Sequence, residues 1–118
     1  MQVETVTTSD GTLLRAVRST LRDARAAYLC VAFVHERCLQ LLRAELDGLR
    51  RRKARARLLV TTTFRTTTPS ALSLASRLGL EVRVLNPGVG RTYHPKLYLG
   101  EGDGVSRAVS GSANLTGC

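Results

Sequence analysis

Apolar positions along the chain change period several times, and each change marks an element. Leu13, Leu14, Val17 and Leu21 recur at helical spacing behind Asp10, a good N-cap, and predict a first helix after a short strand or frayed start at 3–6. The run 26–34 is almost wholly apolar and reads as a buried strand. Leu39, Leu42, Leu46 and Leu49 predict one helix over 35–51, with His35 at its start. A strand at 58–63 runs into a Thr-rich loop ending at Thr68. Pro69 and Ser70 then open a helix with Leu72, Leu74, Ala75 and Leu78 inward and Gly79 as its stop. Residues 81–85 alternate as a strand, and Asn86-Pro87-Gly88-Val89-Gly90 is a turn-rich loop. Two strands, 93–99 and 105–110, flank a Gly-rich turn at 100–104 and predict a hairpin. The alternation implies an α/β fold: a mixed, partly parallel sheet with helices on both faces. At 118 residues without an internal repeat, the chain is expected to be one domain with one core.

Composition sharpens this picture. Trp is absent and aromatics make up 4%, so the core must be built from Leu, Val and Ala. The formal net charge is +9, and only Lys53 and Lys96 are lysines. Such a balance favours a polyanionic partner, nucleic acid before an anionic membrane. The basic run 50–57 falls between a helix end and a strand; helix-terminal electrostatics explains part of it, and it reads as a solvated cluster ahead of a phosphate-binding patch. Cys30, Cys38 and Cys118 form no zinc spacing and imply no disulfide framework. With no apolar run of membrane-spanning length and no signal peptide, a cytoplasmic location is expected.

The candidate chemistry lies in the hairpin. Strand residues two apart share a face, so His94 and Lys96 point together, as Ser112 and Asn114 would on a continued return strand. An imidazole, a fixed cation and two neutral hydrogen-bonding groups suit a phosphate. Imidazole can attack phosphorus or move protons near neutral pH. The ammonium neutralises non-bridging oxygens, and the hydroxyl and amide add hydrogen bonds. None of these groups needs a metal, and no cofactor is expected.

The residues His94-Pro95-Lys96 and Gly111-Ser112-Ala113-Asn114 resemble the His-x-Lys and Gly-Ser-x-Asn signature of the phospholipase D superfamily. More narrowly, the chain resembles the phospholipase D-like nuclease domain found at the N-terminus of superfamily 2 helicases and in some restriction endonucleases. The resemblance implies metal-independent hydrolysis of phosphodiesters through a phosphohistidine at His94, with Lys96, Ser112 and Asn114 on the phosphoryl oxygens. A single motif implies a homodimer with two histidines meeting. It also tilts the substrate toward nucleic acid, DNA first, with Arg65, Arg91 and Arg107 as candidate backbone contacts and no membrane partner. The family's supporting aspartate is replaced by Glu101, with Asp103 two residues on. The sequence stops just after the Gly-Ser-x-Asn motif, so the expectation is a domain truncated at that point that works fused to or beside a helicase. The alternative expectation is a catalytically silent module that holds nucleic-acid phosphates.

Overall fold

The computed structural model describes residues 12–63 and 66–111; the strand expected at 3–6 and the Asp10 cap lie outside them. In chain order the elements are α1 (Thr12–Arg22), β1 (Ala26–Val31), α2 (Glu36–Leu41), α3 (Arg43–Arg51), β2 (Arg55–Val60), α4 (Pro69–Arg77), β3 (Glu81–Val84), β4 (Lys96–Gly102) and β5 (Val105–Ser110). The strands form one sheet in the order β3-β2-β1-β4-β5. The first three are parallel, β4 runs against β1, and β5 runs against β4. The fold is therefore α/β with a mixed, partly parallel sheet.

The layering differs from the expectation in one respect: the described helices all cover one face. Ala27, Leu29 and Val31 of β1, Ala56, Leu58 and Val60 of β2, and Tyr98 of β4 are buried on that face. They share a single core with Val17 and Leu21 of α1, Leu39, Leu46 and Leu49 of α2 and α3, and Leu74 and Ala75 of α4. The cause is topological. The crossovers β1→β2 and β2→β3 step the same way across the sheet, and right-handed crossovers that step the same way lay their helices on the same side. The alternate residues face away from the core. Arg55, Arg57, Glu81, Arg83 and Glu101 are exposed there, and Cys30, Leu59, Leu97 and Leu99 are half-buried.

Two element boundaries move for identifiable reasons. The helix expected over 35–51 breaks at Leu42 (φ −97°, ψ 7°), whose N–H is shared between the carbonyls of Cys38 and Leu39. The break leaves Leu39, Leu42, Leu46 and Leu49 all fully buried. β2 starts at Arg55 rather than at 58, because Arg-Ala-Arg-Leu is itself an alternating strand with Ala56 and Leu58 inward. α4 begins as its sequence predicts, with Thr68 Oγ1 accepting from Ala71 N at 3.2 Å and Pro69 in the first turn.

The hairpin also differs from its prediction. Its turn is only Asp103-Gly104, both at positive φ (49° and 77°), the conformation of a two-residue type I′ loop. Gly100 lies within β4, where α1 passes so close that a Cβ would sit 2.1 Å from the Thr20 carbonyl oxygen. Beside this contact, Arg52 donates to the carbonyls of Leu21 and Ala24 at 2.9–3.3 Å and fastens the end of α3 to the end of α1. Cys30 is a free thiol, but Cys38 is disulfide-bonded, contrary to the expectation of unpaired cysteines.

Candidate functional site

The carboxyl ends of β1, β2 and β3 lie on one edge of the sheet, the edge at which open α/β sheets bind ligands. β4 is antiparallel to them, so its first residue arrives at that edge: Lys96 pairs with Val31, the last residue of β1. His94 precedes the strand instead of lying in it, so it does not share a strand face with Lys96. The two side chains meet nonetheless. Lys96 Nζ contacts His94 Nδ1, and also donates to the His94 carbonyl at 2.8 Å. The Lys96 side chain is folded back and the residue is 8% exposed, whereas His94 is exposed. Burial lowers the Lys96 pKa below its usual value of 10.5, because desolvation penalises the charged ammonium.

Three neighbours frame this pair. The Phe33 ring meets the His94 ring edge-on, with centroids 5.8 Å apart and planes at 80°. Tyr93 turns its hydroxyl inward to donate to the Leu59 carbonyl at 2.9 Å. Gly111 N donates to the Lys96 carbonyl at 3.3 Å, so the first residue of Gly-Ser-Ala-Asn lies directly beside the lysine. Ser112 and Asn114 themselves lie outside the described residues, as does Arg65.

Loops from β1 and β2 complete the edge. Thr67 Oγ1 is buried and accepts from Val34 N at 3.1 Å, tying the loop after β2 to the loop after β1. Asn86 gathers the start of the Thr-rich loop: its Oδ1 accepts from Thr61 Oγ1 and Thr62 N, and its Nδ2 donates to Thr62 Oγ1. Neither Phe33 nor Asn86 stood out in the sequence as a site residue, because a Phe ending an apolar run reads as core and Asn-Pro-Gly reads as a turn.

The remaining candidates scatter. Glu101 and Asp103 lie at the opposite edge of the sheet; Glu101 pairs with Ala26 at the start of β1, and Asp103 forms an exposed ion pair with Arg25 at 3.3 Å. Lys96 and Glu101 are five steps apart along the strand, about 17 Å at the usual rise per residue. Neither acid reaches His94. Arg107 pairs across from Gly100 and bonds Ser19 Oγ of α1 at 2.6 Å, whereas Arg91 is exposed in the loop that leads into His94. Among the described residues no group of three His, Cys, Asp or Glu side chains could hold a metal ion, and no helix is long and apolar enough to cross a membrane.

The inward Tyr93 hydroxyl makes a titration prediction. Desolvation, with the nearby Cys30 thiol adding to it, pushes its pKa up to about 12 from the ordinary 10. The folded state therefore keeps a proton that the unfolded chain loses first, and that stabilisation is present below pH 10 and lost as pH rises from 10 to 12. Tyr93→Phe is expected to be less stable by about 1 kcal/mol at neutral pH for the lost hydrogen bond. The gap to the parent protein should narrow across that alkaline window in urea-unfolding midpoints. A constant gap would show that Tyr93 is not the group responsible.

No known family model matches the sequence, and no curated protein does.

Proposed function

We propose that the protein is a phospholipase D-like phosphodiesterase acting on nucleic acid, with His94 as nucleophile and a second copy of the chain supplying the other histidine. The observation that carries this reading is the Lys96–His94 pair at the carboxyl edge, with Gly111 beside it. That arrangement brings an imidazole and an ammonium together and sets Gly111, the first residue of the Gly-Ser-x-Asn motif, beside the lysine, which supports the reading.

The chemistry follows from the ring nitrogens. With Lys96 donating to Nδ1, neutral His94 carries its proton on Nε2. Attack through Nε2 requires that nitrogen to be free. A bound phosphate oxygen draws the ammonium off Nδ1, which then holds the ring proton. Nε2 forms a bond to phosphorus as the bond to the leaving oxygen breaks, and the second copy's histidine protonates that oxygen. Water, deprotonated by the same second histidine, then cleaves the phosphorus–nitrogen bond and releases a phosphate monoester. The reading includes a homodimer, with DNA as the favoured substrate and an association with helicase or restriction machinery. No cofactor enters the scheme.

A second reading has one observation in its favour: Glu101 and Asp103 lie at the far edge, so neither can hold the Nδ1 proton during attack. In that reading the pair grips nucleic-acid phosphates without turnover. Incubating the full chain with end-labelled DNA in excess EDTA separates the two. Cleavage with a protein-bound phosphoryl group that survives alkali and is lost in acid is the expected result. Salt-sensitive binding with neither product nor adduct would establish the silent module instead.

A further inference from the structure

The basic run 50–57 is not one cluster in the folded protein. Arg50 is held by Asp47 and the Arg77 carbonyl, Arg52 by the carbonyls of Leu21 and Ala24, and Arg57 by Glu81 at 3.1 Å. Arg51, Lys53 and Arg55 are exposed and have no hydrogen-bonding or ionic side-chain partner among the described residues. The Arg52 clip and the Arg55 N–H to Arg25 carbonyl bond (3.1 Å) bring exposed Arg22, at the end of α1, to the same corner. Of the carboxylates at this edge of the molecule, Asp47 is held by Arg50 and Glu81 by Arg57 and Arg83, while Asp23, Glu101 and Asp103 lie on the hairpin side with Arg25 and Arg107.

Capping electrostatics accounts for only part of this corner. Arg22 and Arg51 end α1 and α3, where cations are favoured. Arg55 opens a strand, where no such field exists. Lys53 sits in the left-handed region (φ 56°), at the position after a helix where glycine is preferred. One of the chain's two lysines is thus kept where the backbone favours its replacement.

We propose that Arg22, Arg51, Lys53 and Arg55 form a docking surface for the sugar–phosphate backbone of nucleic acid, at the opposite edge of the sheet from His94. The substrate class is taken from the function proposed above; the surface itself does not depend on turnover. A lipid surface fits less well. No exposed large apolar side chain is found at residues 22 or 51–55 to enter a bilayer.

The test is fluorescence anisotropy of a labelled duplex titrated with the full-length R51Q/K53Q/R55Q variant and its parent across roughly 50–200 mM salt. The expected result is at least about tenfold weaker binding at low salt, and a salt slope smaller by about 2 to 3, since each phosphate contact carries a slope of about 0.9. The single variant K53G should melt at a higher temperature yet bind more weakly, a combination that a purely structural lysine cannot give. A folded triple variant with unchanged slope, or K53G with undiminished affinity, would overturn the proposal. So would loss of binding to phosphatidylserine vesicles alone. Failure of DNA cleavage in EDTA bears on His94 and leaves this result standing.

Discussion

His94→Ala is expected to lower DNA cleavage by at least about 10⁴-fold while leaving the fold intact. The magnitude follows from its proposed role: without a nucleophile no phosphoryl-enzyme would form, and the remaining groups would only bind. His94 is exposed and outside any strand, so its removal costs little packing. Lys96→Met provides the contrast. It should reduce turnover by at least about a hundredfold, the order found for removing one donor to a developing anion. Yet stability should hold or rise, because methionine keeps the buried stem and removes a desolvated cation. The sign with pH is fixed by the lowered Lys96 pKa. In the window below 10.5 the unfolded chain binds more protons than the folded one, so the parent protein gains stability as pH rises. Any stability advantage of Lys96→Met should shrink accordingly. Full activity in His94→Ala would end the phosphohistidine reading, and a severely destabilised Lys96→Met would show that the ammonium is needed by the fold.

The second large effect is structural. Gly100→Val should destabilise by about 3 kcal/mol or more in denaturant titrations, near the upper limit for overpacking. A Cβ there meets the backbone of Thr20 rather than the end of a flexible side chain, so α1 as a whole must move. Gly104→Ala offers a control of different origin. Open space surrounds Gly104, but its φ is +77°, and the cost should be only about 1 kcal/mol. Equal costs at the two positions would mean that α1 gives way easily.

These two glycines illustrate what the sequence made legible. Six elements between 12 and 85 followed from hydrophobic period, and their alternation was enough for an α/β fold with a mixed sheet. Gly100 to Gly104 looked like one turn, because glycine content signals conformational freedom and close approach in the same way. Only the position of α1 separates them. The one-sided layering was equally hidden: half-buried Leu59, Leu97 and Leu99 look like core in a list of apolar residues. At the candidate site the His94 and Lys96 spacing was readable, but the reason given for their convergence was not the right one. They meet through a side chain that folds back, not through a shared strand face. Glu101 and Asp103 were near in sequence and far in space, since a strand carries five residues across the whole sheet.

The placement of β4 also bears on when the site comes into being. Val31 and Lys96 are neighbours in the sheet although β2, α4 and β3 all intervene in the chain. The β4–β5 hairpin can form early from local contacts, but its docking against β1 closes a long loop and belongs to the late, slow part of folding. The histidine and lysine can pair before that event, being two residues apart, but the Phe33 ring and the carboxyl edge reach them only with it. Recovery of the proposed cleavage activity after dilution from denaturant would therefore report completion of the sheet, and should lag behind the recovery of helical signal.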